Sequence, residues 1–474
     1  MLTNPLIRRY KYSLMRPAQF WVYVTIYASI ITLILLINYS LYIYKAAFDS
    51  LTQLFSSLYT QLLVLQTLML LIWAAFNSGS AISQERTERT YDFFRILPLP
   101  AYKKMVGILI GKNLVVLLLA GINLLFLIFF GAKSDISSTM LLQTLFALFC
   151  ASFLSNTIGL LSSLCTKGRA KAKGTRIGGI LLLLVFGIPL LLHGMVALAY
   201  IGKLEGKSAP FYTLRLPVLI LYSLVFLYFA AWAVIGILRK LNKEERPLFS
   251  RFGAMLFFAG YQAILTGLLS PHLEDYAAEI TAAYWWLSII PVLVIPVAGA
   301  YDMQDYLELA ASWRRKNLST ARFRFNLLAM SNVAQGAALF ALWTITTYLL
   351  KLYPQFRVPQ LNSIVLTFAG FCLFLVLLLE IAAVYQPAQG KVALLAGFIA
   401  AAYVVLPPIF GGIFENETIF GYSPAGFLVS ISSQEFSDSI AFVRICLYNL
   451  FLSIVPAILV GRRYAQIMAV KPAS

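Results

Sequence analysis

Apolar runs long enough to cross a membrane follow one another along almost the whole chain. A helical span needs about 20 predominantly apolar residues, and on that rule the sequence predicts twelve spans. They are Phe20–Tyr44, Leu54–Phe76, Val106–Phe130, Met140–Cys165, Ile177–Ile201, Leu216–Leu238, Phe252–Leu269, Ala282–Ala300, Met330–Leu350, Ile364–Tyr385, Val392–Ile413 and Ile440–Val460. The pattern predicts an all-α polytopic membrane protein.

Composition agrees with this pattern. Of 474 residues, 60% are hydrophobic and only 12% are charged, whereas soluble domains carry about 25% charged residues. The four cysteines are scattered through apolar segments without CxxC spacing, so we interpret them as core residues. The segment 1–19 is basic and polar, and the first apolar run is too long for a signal peptide.

The distribution of positive charge predicts the orientation. With the N-terminus in the cytoplasm, the inner segments hold 29 of the 37 Lys and Arg residues and the outer loops hold 7. Lys and Arg accumulate on the cytoplasmic side of membrane proteins. We therefore expect both termini to be cytoplasmic, in a cell (inner or plasma) membrane. The net charge of +18 then needs no nucleic-acid partner.

One polar stretch interrupts the first half, from Ser80 to Lys112. A helix over 81–97 would be about 25 Å long and would end at Pro98 and Pro100. Three carboxylates lie on one stripe of this helix and two arginines flank them: Glu85, Glu88 and Asp92, with Arg86 and Arg89. This pattern predicts a docking helix on the cytoplasmic side.

The same stretch resembles the loop after the second span of type-2 ABC transporter permeases, where the pattern is roughly A-I-x-x-E-R-E-x-G-T-x-D, then P-L-S and G-K. The matching residues are Ala81-Ile82, Glu85-Arg86, Thr90, Asp92, Leu97-Pro98-Leu99 and Gly111-Lys112. Arg89 stands at the usual glycine and Pro100 at the usual serine. The resemblance implies a coupling helix that docks on a separate ATP-binding subunit through Glu85, Arg86, Glu88, Arg89, Thr90, Asp92 and Pro98.

Two six-helix halves are predicted, 1–252 and 253–474. Each begins near a basic stretch, and 3–19 is suited to lying in the headgroup plane. In the second half, the segment 302–317 occupies the same ordinal loop as the first docking helix, which suggests a degenerate repeat. Its candidate docking residues are Asp302, Asp305, Glu308, Trp313 and Arg314.

Motifs for catalysis are missing from the sequence. Gly107–Lys112 superficially resembles a phosphate-binding loop, but it has three intervening residues instead of four and Asn113 in place of Ser/Thr. There is no H-E-x-x-H or G-x-S-x-G motif and no His or Cys cluster at metal spacing. We therefore expect a chain that is not an enzyme and holds no metal or cofactor, with ATP and Mg on the partner ATPase.

A few polar or helix-breaking residues at membrane depth are candidates for a gate: His193, Glu380, Pro407, Pro408 and Arg444. Buried charge in a membrane indicates function by default. The alternative for Glu380 is snorkelling to the inner interface or bonding to Lys391, and for Arg444 it is contact with outer headgroups or Asp438. His193 also fits a hydrogen-bonded structural residue.

The leading hypothesis is the permease subunit of an ABC exporter of an amphipathic or lipid-like substrate, driven by ATPase subunits, two copies of which are expected. A twelve-helix secondary transporter is the second hypothesis, but the loop lacks G-x-x-x-D-R-x-G-R-R. A polytopic lipid-modifying enzyme is the third. The sequence leaves open whether the pore is one chain, a homodimer or a pair with a partner permease.

Overall fold

The structure is a computed structural model. It describes residues 4–44, 48–165, 207–243, 248–270, 331–350, 361–385 and 439–469, together with isolated helical residues between 284 and 313. The predicted spans 177–201 and 392–413 lie outside the described residues, and of the predicted span 282–300 only isolated helical positions are described.

Helices make up nearly all of the described chain. The helices of the first part are α1 Pro5–Leu14, α2 Pro17–Ile43, α3 Leu51–Thr67, α4 Ala74–Thr87, α5 Tyr91–Ile96, α6 Ala101–Lys112, α7 Leu114–Lys133, α8 Ser138–Cys165 and α9 Val218–Asn242. Those of the second part are α10 Arg251–Leu269, α11 Asn332–Leu350, α12 Leu361–Val384 and α13 Ser439–Ala469. Two short strands, β1 Ser208–Phe211 and β2 Leu214–Pro217, pair with each other.

Nine helical stretches within the described ranges are long and apolar enough to cross a membrane. Each of the nine coincides with one of the predicted spans, so the chain is a polytopic helical protein of multi-pass type. The total of twelve spans stays a prediction.

Three predicted boundaries are wrong. The second span belongs to one helical stretch from Leu51 to Thr87, so the first part of the predicted docking helix continues the helix of that span. The docking helix over 81–97 is broken after Thr87 and resumes as α5. The third span is divided at Asn113, whose side-chain amide donates to the Leu109 carbonyl at 3.0 Å and thereby ends α6.

The contacts divide the chain into two compact units. The first comprises 1–209 and 215–248, and the second comprises 210–214 and 249–474. In the first unit α3 packs on α7, and α8 packs on both α4 and α9. Its core includes Tyr59, Leu62 and Leu127, all completely buried.

Small residues allow close helix packing in both units. A Cβ on Gly159 of α8 would lie 2.6 Å from the Ala75 carbonyl oxygen of α4, and a Cβ on Gly336 of α11 would lie 2.6 Å from Val376 of α12. Close approach at small residues is the usual way in which membrane helices associate. In the second unit α12 also packs along α13.

The N-terminal helix α1 packs against α6. Asn4 caps α1 by accepting from the Leu6 amide at 3.0 Å, and its own amide donates to the Lys103 carbonyl at 2.8 Å. A Cβ on Gly107 would lie 2.9 Å from Leu6, and one on Gly111 would lie 2.4 Å from Tyr10. The two glycines that imitate a phosphate-binding loop therefore form the surface on which α1 sits.

Candidate functional site

The break in the predicted docking helix is a defined helix end. The Arg89 amide donates to the Arg86 carbonyl at 3.3 Å and the Thr90 amide to the Glu85 carbonyl at 2.9 Å. These two bonds form a Schellman motif, which needs a left-handed residue, usually glycine, directly after the helix. Arg89 has φ 60° and occupies that position. The position where the resemblance expects glycine is therefore left-handed, and here an arginine adopts it.

Glu85 is the centre of a buried cluster that joins α1 to α4 and α5. Its carboxylate lies 2.8 Å from Arg9 Nη2 and 3.2 Å from the Tyr10 hydroxyl, and it accepts from the Thr90 hydroxyl. Glu85 is only 3% exposed. The side chain is therefore held inside the unit by α1 and not exposed for direct contact, and its role in ATPase coupling stays a prediction.

The pKa values of two groups in and beside this cluster are shifted. Burial, and then the Glu85 carboxylate, raise the pKa of the Tyr10 hydroxyl far above its usual range, so the hydroxyl stays a donor. Burial lowers the pKa of Lys112, whose ammonium group donates to Gln84 Oε1 at 2.7 Å and lies 5.5 Å from the centre of the Tyr10 ring. The α1–α4–α6 corner is thus a network of neighbouring side chains.

Arg86 also bonds within the unit. Its guanidinium stacks on the Tyr91 ring at 4.8 Å, and Nη2 donates to the Leu164 carbonyl of α8 at 3.4 Å. Thr90 donates to the Glu85 carbonyl as well as to its carboxylate. Both residues were predicted to contact a partner, and both serve to fix the α4–α5 turn.

The outer side of the same turn is exposed, and we call it the α5 surface. It consists of Glu88, Arg89, Asp92, Phe93, Ile96 and Pro98. Phe93 is 50% exposed and Ile96 is 81% exposed, although both lie outside the helices long enough to be spans. Glu88 bonds to Gln84 at 2.8 Å, and Asp92 lies in the first turn of α5. The surface joins two apolar side chains to a rim of charge.

In the second unit, Glu380 is the counterpart of Glu85. It is fully buried near the end of α12. It accepts from the Tyr306 hydroxyl at 2.7 Å, from the Asn332 amide at the start of α11 at 2.6 Å, and from the Tyr464 hydroxyl of α13. Three donors hold the carboxylate inside the unit, so the alternative of snorkelling to the interface is wrong. Lys391 lies outside the described residues, and a role of Glu380 in a gate stays a prediction.

Tyr306 comes from the second predicted docking segment. Within that segment the structure describes Tyr306, Leu307, Ala310, Ala311 and Trp313, all helical. Tyr306 and Ala310 are buried and Trp313 is partly buried. The other candidates of this segment, Asp302, Asp305, Glu308 and Arg314, lie outside the described residues, so their docking role stays a prediction.

The structure places none of the remaining gate candidates in a site formed by described residues. Arg444 is exposed near the start of α13, while its predicted partner Asp438 is not described. His193, Pro407 and Pro408 also lie outside the described residues. Among the residues that the structure describes, no group of three or more His, Cys, Asp or Glu side chains could hold a metal ion.

Sequence reasoning missed a π-helical segment, Leu68–Trp73, in the middle of the second span. A π-helix shifts the backbone bonds by one residue and is frequent at functional sites. Here α8 bonds to its carbonyls: Ser155 donates to Leu71 at 2.8 Å and Asn156 to Leu70 at 3.3 Å. The run of polar residues 152, 155 and 156 inside an apolar span was the available signal.

The chain was compared with family models, curated proteins and solved structures, and none of them matches it.

Proposed function

We propose that the chain is the membrane-spanning subunit of an ABC transporter. It carries out no catalytic step itself and is driven by a separate ATP-binding subunit. The observation that carries the proposal is the α5 surface. Phe93 and Ile96 expose large apolar area outside the spans, and an exposed apolar patch rimmed by polar residues is typical of a protein interface. Its position in the chain is that of the family's coupling helix.

The contacts that hold the α5 surface to the rest of the first unit support the proposal. Glu85 fixes the end of α4 to α1, and Arg86 fixes it to α8. A partner that pushes on α5 would therefore move a continuous span, Leu51–Thr87, together with α1 and α8. Rigid elements connected in this way transmit motion between a docking surface and a distant site.

The proposed direction and cargo use the resemblance and the composition as support. An exporter of an amphipathic or lipid-like substrate fits the scarcity of charge in the spans, and the ATP and Mg belong to the partner. We expect two ATPase copies per transporter in the cell membrane, with the α5 surface on the cytoplasmic side, as the charge distribution predicts.

Co-purification tests the proposal. The tagged full chain is purified from membranes of its native host, and any ATPase with a phosphate-binding loop that co-purifies is identified and quantified. The double variant Phe93→Ala/Ile96→Ala should retain at least ten-fold less ATPase, because buried aromatic and aliphatic anchors dominate interfaces. The matched control is Leu142→Ala/Phe149→Ala, which likewise removes one aliphatic and one aromatic side chain, here from exposed positions of α8.

The control should bind ATPase as the native chain does. Failure of the native chain to retain the ATPase, or equal retention by both double variants, would overturn the proposal. A secondary transporter would give the first of these results and would instead show transport driven by an ion gradient.

A further inference from the structure

The apolar face of α1 is already occupied. Leu6, Ile7 and Tyr10 are buried, and Gly107 and Gly111 of α6 receive them with contacts that leave no room for a Cβ. An interfacial helix ordinarily inserts its apolar face between lipids. Here protein covers that face, so α1 has only its polar face to present to its surroundings.

That polar face is strongly basic. Arg8 and Lys11 are exposed, as is Tyr12, whose ring lies 5.8 Å from the Arg8 guanidinium carbon. Arg16, just beyond the end of α1, is exposed as well. The spacing of 8, 11 and 12 puts these side chains on one stripe of the helix. The first acidic residue of the sequence is Asp49, so no carboxylate within the N-terminal 48 residues offsets this charge.

The basic stripe lies beside the start of a lipid-facing span. Only Met15 and Arg16 separate α1 from α2, and just 11% of the most apolar window of α2 is buried. Trp21, in the second turn of α2, is 63% exposed. Tryptophan collects at the headgroup level of membrane spans, and Arg16 precedes Trp21 by five residues, about 7.5 Å along a helix, which favours a position of Arg16 on the headgroup side.

We propose that the outward face of α1 and the junction with α2 form a binding surface for the headgroups of anionic phospholipids, with Arg8 and Lys11 on α1, Arg16 at the junction and Trp21 at the acyl-chain boundary. Clusters of Lys and Arg directly cytoplasmic of a span attract anionic lipid, each residue strengthening binding about five-fold. Because the apolar face of α1 is covered, the attraction is electrostatic, and it weakens when salt screens the charges.

Quenching by brominated lipid tests the proposal. The purified full chain is titrated with dibrominated phosphatidylglycerol or dibrominated phosphatidylcholine in mixed micelles, and tryptophan fluorescence is recorded. We expect preferential quenching by phosphatidylglycerol, and Trp21→Phe should remove the preferential part. The triple variant R8Q/K11Q/R16Q should bind phosphatidylglycerol roughly 100-fold more weakly at low salt.

A second triple variant, K133Q/K207Q/R215Q, is the matched control, since it removes three exposed cations from the predicted outer loops. It should keep the preference. Persistence of the preference in R8Q/K11Q/R16Q, or its absence in the native chain, would overturn the proposal.

Salt and a soluble headgroup complete the test without any variant. Raising NaCl from 50 to 500 mM should abolish the preference of the native chain, whereas insensitivity to salt would contradict an electrostatic surface. Glycerol phosphate at the lipid concentration should not compete. Full competition would assign the stripe to free phosphate groups and overturn the lipid proposal.

Discussion

Replacing Glu85 by glutamine should destabilise the first unit without removing any exposed surface. The change keeps the shape of the side chain but removes its charge, so Arg9 loses its ionic partner at 2.8 Å. Tyr10 donates to Oε1, whereas Arg9 and Thr90 bond to Oε2, so the single amide oxygen of glutamine can serve only one of these two sides. The variant therefore removes the ion pair together with part of the hydroxyl bonding.

The expected loss is about 2 kcal/mol. Breaking a fully buried ion pair costs roughly 3–5 kcal/mol, but the Arg9 side chain is 33% exposed, so water recovers part of the charge interaction. Glu88→Gln is the matched control three residues later. Glu88 is exposed and bonds to Gln84, so that change should stay within about 0.5 kcal/mol.

Unfolding of the detergent-solubilised full chain by SDS, followed by circular dichroism, measures both variants. The Arg9→Gln/Glu85→Gln double variant should show a coupling energy of at least about 1 kcal/mol between the two side chains. Equal midpoints for Glu85→Gln and Glu88→Gln, or no coupling to Arg9, would refute the reasoning that Glu85 is an internal anchor.

Three further predictions use the same unfolding assay. Arg89→Gly should raise stability by about 0.5 kcal/mol, because relief of the left-handed conformation exceeds the added freedom of glycine in the unfolded chain; a loss would contradict the Schellman ending. Gly111→Ala should lower the free energy of unfolding by about 2 kcal/mol, because the new Cβ displaces Tyr10. Gly121→Ala, whose Cβ would meet open space, should leave it unchanged. Equal effects would argue against the α1–α6 contact. Glu380→Ala should lower the free energy of unfolding by roughly 3 kcal/mol, because three donors lose their acceptor, whereas Arg444→Ala, at an exposed position, should change it little. If Glu380→Ala leaves stability unchanged, Glu380 is not an anchor of the second unit.

The nine spans that lie within the described residues could be predicted from the sequence, because bilayer thickness dictates their length. The break at Arg89 could not, since arginine is a good helix former and only the bonds to Arg86 and Glu85 reveal the left-handed turn. Here the tertiary arrangement overrides local propensity.

The two buried glutamates show a second limit of sequence reasoning. Glu85 was predicted to face a partner because helical spacing puts it on a stripe with Glu88, but spacing does not tell which stripe is covered. For Glu380, snorkelling was an alternative because the residue lies near the inner end of its predicted span, whereas its actual donors are distant in sequence, the closest being Asn332 at 48 residues. Contacts over such separations cannot be read from periodicity.

The contact between the α5 surface and an ATPase is tested most directly by photo-crosslinking in native membranes. A benzoylphenylalanine replaces Ile96 in one variant and Lys133, on the predicted outer side, in another. The account predicts a crosslink from position 96 to an ATPase with a phosphate-binding loop, and none from position 133. The absence of any crosslink from position 96 to an ATPase would contradict the account. Labelling of an Ile96→Cys variant from outside by a membrane-impermeant thiol reagent would contradict it as well.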